Sequence, residues 1–183
     1  MDPVVHRHPV QPSLWVKRFA PLIAAGGTIL DLACGNGRHA RFLEGAGWQV
    51  EAVDRDPQAL AALADIPGIF PRQADLEGAG WPYPGRRFEG IVVTNYLHRP
   101  LFPLLVDALA EGGVLIYETF MLGNERFGRP SNPDFLLRPG ELLDAFGGHL
   151  TVVAFEQGET ARPQPAMVQR LCAVKGNGRV RLP

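Results

Sequence analysis

Residues 28–45 read TILDLACGNGRHARFLEG, an apolar, β-rich run followed by a glycine turn and then by helical spacing of apolar side chains. Glycines at 35 and 37 permit a tight turn and let a ligand approach the backbone closely. The helix that follows presents free N–H groups, which suit an anionic group. In open α/β sheets, ligands bind outside the carboxyl ends of the strands. We therefore expect a ligand site at the end of this first strand.

Strand and helix signals alternate through most of the remaining chain. Strands that alternate with helices predict parallel βαβ units, whereas the last two strands have no helix between them and are expected to pair antiparallel at one edge. The predicted fold class is α/β, a doubly wound, mostly parallel, Rossmann-like seven-stranded sheet with an antiparallel edge strand. Predicted helices cover 14–23, 37–45, 56–64, 100–111 and 139–146; predicted strands cover 28–33, 49–53, 69–74, 88–95, 114–120, 150–156 and 166–174.

Three of the predicted strands have an acidic residue at or near their carboxyl end: Asp31, Asp54 and Asp75. Asp54 follows the second strand, where a carboxylate can accept hydrogen bonds from both hydroxyls of a ribose. Asp75 follows the third strand and can accept from an adenine amino group, with Leu76 packing on the base. Each acid can also be read as a strand-end turn or a helix cap.

Asp31 separates two possible ligands for this edge. A GxGxxA turn followed by an acid also describes a nicotinamide site, so an oxidoreductase remains an alternative. The Asp31 carboxylate lies four residues before Gly35. It would repel a pyrophosphate but would attract an ammonium or a sulfonium cation. The acid therefore favours a ligand with a positive end.

Composition excludes several classes of protein. The 183 residues carry 18 basic and 19 acidic side chains, a formal net charge of −1, so no global field attracts nucleic acid or a membrane. No apolar stretch approaches the roughly 18 residues that span a bilayer, and 1–13 lacks the apolar core of a secretory signal. Two cysteines form no disulfide framework, which favours a reducing, cytoplasmic compartment.

The length favours a single domain. We expect a flexible, proline-containing arm at 1–12, one domain at 13–177 and a tail at 178–183. His6 and His8 lie in that arm without a third or fourth ligand, and no metal site is expected.

Five segments occur in an order that points to a family: ILDLACGNG, AVDRD, QADL, FEGIVVTNYLH and LAEGGVLIYET. Together they resemble the motifs of class I S-adenosylmethionine-dependent methyltransferases. The GELL segment at 140–143, with the strand GGVLIYETF, is also similar to small methyltransferases of the tellurite-resistance type. The resemblance implies S-adenosylmethionine as cofactor, held by Asp31, Ala33, Gly35, Gly37, Asp54, Arg55, Asp75, Leu76, Asn95, Tyr96 and Leu97.

The methyl acceptor is expected to be a small molecule, anionic or soft, such as an oxyanion, a thiol or a carboxylate. The candidates that act on it are Tyr96 and His98 after strand four, with Arg99 beside them, and Arg126 in a long connection at 121–140. That connection exceeds the usual 2–6 residues and predicts a lid or acceptor loop; a mobile surface insertion is the alternative. NYLH differs from the [DN]PP[YF] signature of amino and nucleobase methyltransferases, so no nucleic-acid substrate is expected. A methyltransferase-fold protein that binds the cofactor without turnover is a further alternative.

Overall fold

The structure, a computed structural model, describes residues 11–183. The expected arm at 1–12, with His6 and His8, therefore lies almost wholly outside the described residues. The helices of the structure are α1 (Leu14–Phe19), α2 (Arg38–Gly45), α3 (Pro57–Ala61), α4 (Phe102–Ala108) and α5 (Glu141–Phe146). The strands are β1 (Thr28–Leu32), β2 (Gln49–Asp54), β3 (Ile69–Gln73), β4 (Phe88–Thr94), β5 (Leu109–Phe120), β6 (Thr151–Thr160) and β7 (Ala166–Val174).

The seven strands form one sheet in the order β3-β2-β1-β4-β5-β7-β6. Strands β1 to β5 pair in parallel, and β7 is antiparallel to both β5 and β6. The predicted fold class is confirmed, and the antiparallel strand lies one place in from the edge. Buried apolar side chains form one cluster on each face of the sheet. Because β1 to β5 are parallel, their carboxyl ends all lie at one edge of the sheet.

Helix α1 begins as its sequence predicts. The Ser13 hydroxyl accepts a hydrogen bond from the Trp15 N–H, which caps the helix. At Pro21 the chain tightens into a 3-10 helix, Ala20–Leu22, because proline removes a backbone donor. Helix α1 thus packs as a short element on one face of the sheet, with the Trp15 indole donating to the Leu171 carbonyl at 3.2 Å.

Two predicted boundaries around β5 are wrong. The helix predicted at 100–111 ends at Ala108, and β5 begins at Leu109, which pairs with Phe88 of β4. Gly112 takes φ +76° and donates its N–H to the Lys175 carbonyl. Gly112 and Gly113, which lie between the predicted helix and the predicted strand, thus form part of β5, because tertiary pairing replaces the last helical turn.

The connection between β3 and β4 contains no helix, as its glycines and prolines predict. Trp81 and Tyr83 fold back in edge-to-face contact with each other, and Tyr83 packs on Phe88.

Over residues 11–183, no helix is long and apolar enough to cross a membrane, and no group of three or more His, Cys, Asp or Glu side chains could hold a metal ion.

Candidate active site

A cavity of about 360 Å³ opens at the carboxyl ends of the parallel strands. It falls within the size range of small-molecule sites. Most of the predicted cofactor positions line it, together with residues that sequence reasoning missed. The lining residues are Ala33, Asp54, Arg55, Ala74, Asp75, Leu76, Glu77, Asn95, Tyr96, Leu97, Thr119, Phe120, Pro130 and Phe135.

The glycine turn is built from left-handed backbone. Gly37 has φ +72°, and a Cβ there would lie 2.5 Å from the Leu63 side chain. Gly35 has φ +52°, but a Cβ there would meet no atom within 4 Å. Gly37 is therefore needed for packing, whereas the space above Gly35 is open to a ligand.

Asp54 holds this turn in place. Its Oδ2 accepts a hydrogen bond from the Gly35 N–H at 2.8 Å, and its Oδ1 accepts from the Asp56 N–H at 3.0 Å. Asp54 therefore combines a structural bond with a place in the cavity wall, and each oxygen keeps a lone pair for a further donor.

Asp75 and Leu76 lie beside the end of β3. Asp75 Oδ1 accepts from the Glu77 N–H at 3.0 Å, which forms a local turn. A Cβ at position 78 would lie 2.7 Å from Asp75 Oδ2, so Gly78 keeps the carboxylate accessible. Leu76 is buried and presents an apolar surface to the cavity.

Asp31 differs from the other two acids because it is 1% exposed. Its Oδ2 has no hydrogen-bond partner in the described part of the chain. Burial raises the pKa of Asp31 to about 7, against the opposing effects of the Ala40 backbone and the Arg38 guanidinium. A buried carboxylate without a partner is costly. The site therefore favours a positively charged group beside this oxygen.

The loop after β4 forms another wall of the cavity. Asn95 takes φ +56° and donates its N–H to the Glu118 carbonyl at 2.9 Å. The buried Tyr117 hydroxyl donates to the Tyr96 carbonyl at 2.9 Å, which fixes the backbone here. The Tyr96 hydroxyl donates to Glu77 Oε1 at 3.4 Å. Burial, aided by the Glu77 carboxylate, holds the pKa of Tyr96 far above its ordinary value, so its proton stays in place.

Two of the candidate acceptor-side residues lie away from the cavity wall. His98 precedes a 3-10 helix, Arg99–Leu101, and its carbonyl accepts from the Leu101 N–H. Arg126 is exposed, donates to the Gly123 carbonyl at 3.2 Å and lies over the Phe127 ring. Neither of these side chains, nor that of Arg99, is among the cavity-lining groups, so the structure brings only Tyr96 of the four candidates to this site.

The 121–140 connection is ordered and contributes to the cavity. The Leu122 N–H donates to the Leu137 carbonyl, and the Leu137 N–H donates to the Phe120 carbonyl. The buried Asn124 side chain donates to the Pro130 carbonyl and accepts from the Met167 N–H. Its residues Pro130 and Phe135 join Thr119 and Phe120 in an uncharged surface, which we call the neutral wall.

His39 is a buried residue near the site that sequence reasoning missed. It follows the glycine turn, and its Nε2 accepts from the Ser13 N–H at 3.1 Å. Nδ1 therefore carries the proton and donates to Thr94 Oγ1 at 3.3 Å. Burial and the neighbouring Arg38 lower the pKa of His39 to about 3. Neutral His39 thus ties the start of α1 to α2 and to the end of β4.

Comparison with known proteins gives the same assignment. Residues 4–138 match the family described as "Methyltransferase domain". The chain belongs to the methyltransferase domain family. The predicted class and its predicted cofactor, S-adenosylmethionine, are confirmed at the level of the family, and the nicotinamide alternative loses its support.

Solved structures share the fold of this methyltransferase domain. TehB from Haemophilus influenzae superimposes with a TM-score of 0.73 at 19% identity, over 88% of this chain and 61% of TehB. An S-adenosylmethionine dependent methyltransferase from Mesorhizobium loti gives a TM-score of 0.70 at 18% identity, over 91% of this chain and 100% of the other.

Two curated relatives match shorter parts of the chain. Hemagglutinin 1 of Eikenella corrodens is 51% identical over 37 residues, which cover 20% of this chain and 12% of the relative. Ribosomal RNA small subunit methyltransferase H of Gemmatimonas aurantiaca is 37% identical over 89 residues, which cover 43% of this chain and 28% of the relative. The chain therefore spans about a quarter or less of the length of these relatives.

The residues of this methyltransferase domain fit the cofactor of its family. The unpartnered Asp31 oxygen suits a cation, and the open space above Gly35 suits a close approach to the backbone. Asp54 and Asp75 line the cavity and supply acceptors for hydroxyl and amino groups.

Proposed function

We propose that this protein transfers the methyl group of S-adenosylmethionine to a small, soft acceptor. The observation that carries the proposal is the buried Asp31 oxygen without a partner, beside a glycine turn that leaves room for a ligand. When bound, the cofactor supplies an electrophilic methyl group on a positively charged sulfur. Asp31, Ala33, Gly35 and Gly37 would hold its methionine part, and Asp54 with Arg55 the ribose.

The remaining predicted cofactor positions would enclose the base and the reacting end. Asp75 and Leu76 would bind the adenine, and Asn95, Tyr96 and Leu97 would line the path to the acceptor. Tyr96 keeps its proton and serves as a donor, because its hydroxyl already points at the Glu77 carboxylate. The chain's contribution is alignment and exclusion of water, which together are worth up to ~7–11 kcal/mol in well-oriented reactions.

The neutral wall supports a soft acceptor over a hard oxyanion or carboxylate. Among the described residues that line the cavity, Arg55 is the only basic side chain, and it follows Asp54 directly. Arg126, the predicted holder of an anion, is exposed outside the cavity. Removing a hard anion from water without a partner is costly, whereas a thiolate places its charge on a polarisable sulfur. Such an acceptor already carries a lone pair and needs no general base.

Calorimetry with S-adenosylhomocysteine tests the cofactor assignment. The wild-type protein should bind it, and Asp54→Ala should weaken binding by about tenfold or more, because the Gly35 N–H loses its acceptor. Glu51→Gln, in the same strand, is the matched control and should bind as the wild type does. No heat at millimolar ligand would refute the proposal.

Turnover tests the acceptor class. Benzenethiol, benzoate and tellurite represent a thiol, a carboxylate and an oxyanion, and formation of S-adenosylhomocysteine reports transfer to each. We expect transfer to the thiol and little to the other two. Preferred transfer to tellurite or benzoate would contradict the assignment of a soft acceptor, and tight cofactor binding with no transfer to any of them would favour a binding protein without turnover.

A further inference from the structure

Arg99 joins two walls of the cavity that come from distant parts of the chain. It belongs to the loop after β4, which supplies Tyr96 and Leu97. Its guanidinium donates to the Asp134 carbonyl at 2.8 Å and to the Leu136 carbonyl at 2.9 Å. These two carbonyls flank Phe135, which also lines the cavity. The Arg99 side chain therefore bonds the backbone on both sides of Phe135.

The guanidinium is itself fixed by Glu141 at the start of α5. Nε donates to Oε1 at 2.6 Å and Nη2 to Oε2 at 3.1 Å, a bidentate pair. Glu141 is 4% exposed and also accepts from the Arg138 N–H at 2.7 Å. Burial alone would raise the pKa of Glu141, but the bonds from Arg99 and Arg138 outweigh it and hold this pKa below its ordinary value. A bidentate pair of this kind sets the plane of the guanidinium, which a lysine ammonium cannot reproduce.

Phe135 is an exposed residue of its segment. It lies in a single 3-10 turn, Pro133–Phe135, and its side chain is 50% exposed, whereas the next residue, Leu136, is buried. The backbone of Tyr96, which also lines the cavity, is held by the buried Tyr117 hydroxyl. Because Arg99 bonds the carbonyls on both sides of Phe135, it ties this turn to the connection that carries Tyr96.

We propose that Arg99 is a positioning residue that determines which acceptors enter the cavity. By holding Phe135 at a set distance from Tyr96 and Leu97, it fixes the width of the opening between these walls. The claim that the acceptor enters at this opening rests on the proposed function. The placement of Phe135 by Arg99 does not rest on it and is measurable without any acceptor.

Hydrogen exchange of the amides of residues 134–137 tests the proposal. In Arg99→Gln these amides should exchange about tenfold faster or more than in the wild type, because both carbonyls beside Phe135 lose a charge-assisted bond. Arg138→Gln is the matched control: it removes a second, 73% exposed basic partner of Glu141 that bonds neither carbonyl, and exchange at 134–137 should stay within about twofold of the wild type.

Arg99→Lys separates positioning from a simple contribution to stability. Its ammonium can still pair with Glu141, so thermal stability should recover toward the wild-type value, but exchange at 134–137 should remain fast. Wild-type exchange at 134–137 in Arg99→Gln, or equally fast exchange in Arg138→Gln, would overturn the proposal. Recovery of slow exchange in Arg99→Lys would overturn it as well.

Binding of S-adenosylhomocysteine to the same variants keeps the two proposals apart. Arg99→Gln should bind it within about threefold of the wild type, because none of the residues assigned to the cofactor contacts the Arg99 side chain. A joint loss of cofactor binding and of slow exchange would overturn the assignment of Arg99 to the acceptor end. Failure of the wild type to bind would refute the proposed function, while the exchange comparison would still decide whether Arg99 positions Phe135.

Discussion

Cofactor binding should depend on pH through Asp31. Its burial raises its pKa to about 7 in the free protein, so near neutral pH about half of the molecules carry the protonated, uncharged form. A cationic ligand group beside the unpartnered oxygen pairs only with the ionised form. Binding of S-adenosylhomocysteine, which carries an ammonium group, should therefore release a proton and strengthen as the pH rises.

The magnitude follows from the free-protein pKa. If the ligand lowers this pKa well below 6, the dissociation constant scales with the fraction of Asp31 that is ionised before binding. From pH 8 to pH 6 that fraction falls about tenfold, so the dissociation constant should rise about tenfold, or about 1.4 kcal/mol. Calorimetry at these pH values, in two buffers of different ionisation heat, gives both the affinity and the number of protons released, about half a proton per ligand at pH 7.

Asp31→Asn is the matched control, because the amide has nearly the same size and does not titrate. It should bind more weakly at pH 8, and its affinity should be almost independent of pH.

The stability of the free wild-type protein should depend on pH in the opposite direction to its affinity for the ligand. A carboxyl whose pKa is higher in the folded than in the unfolded state stabilises the fold at low pH and loses that contribution as the pH rises from about 4 to about 7.

Above neutral pH, Asp31 should lower the stability of the fold and strengthen ligand binding. The shift from 3.8 to about 7 corresponds to about 4 kcal/mol of folding free energy lost above neutral pH. Asp31→Asn should therefore melt higher than the wild type at pH 8 while binding more weakly, as expected for a residue kept for function at a cost in stability. A wild-type affinity that changes less than about twofold between pH 6 and 8 would show that Asp31 does not meet the cation, and so would an equal slope in Asp31→Asn.

Two more variants probe the surroundings of the turn. Because the pKa of His39 falls to about 3 in the folded state, this residue should destabilise the wild type by about 1 kcal/mol as the pH falls from 7.5 to 5.5, in opposition to the stabilisation from Asp31. In urea unfolding, the stability of His39→Gln relative to the wild type should therefore rise by about 1 kcal/mol over this range. No change in this difference would contradict a buried neutral histidine. Gly37→Ala should destabilise the fold by about 1–3 kcal/mol through its left-handed φ and a clash. Gly35→Ala should instead retain more stability and lose S-adenosylhomocysteine binding; the reverse ranking in melting and calorimetry would refute these roles.

Features set by local sequence were predictable. The bounds of β7, 166–174, follow from an uninterrupted β-rich run, and the lack of a helix before β4 follows from its glycines and prolines. The end of the helix before β5 was not predictable, because pairing of Leu109 with Phe88 decides it. Strand-end positions such as Asp54 and Asn95 could be placed at the cavity, because the carboxyl ends of parallel strands lie at one edge of the sheet, where ligands bind.

Positions on the long connections could not be placed in this way. Phe135 reaches the cavity only through contacts with residues far away in the chain, such as the bonds from Arg99 beside it. The sequence places Arg99 only beside the candidates that act on the acceptor. In the structure it bonds the buried Glu141, which lies 42 residues further along the chain and orients it. Spacing carries no signal for such a pair, whereas a buried glutamate in the finished fold requires a basic partner.

The three strand-end acids show most clearly what the structure adds to the pattern. In the sequence they are equivalent, and each can be a turn residue or a ligand. In the fold, Asp54 and Asp75 accept bonds from nearby backbone, at Gly35 and Glu77 among others. Their positions are therefore explained in part by local structure. Of these three acids, only Asp31 is almost fully buried and has an oxygen without a partner over residues 11–183. Folding alone does not account for that cost, and it is therefore the strongest evidence that this edge evolved to bind a cation.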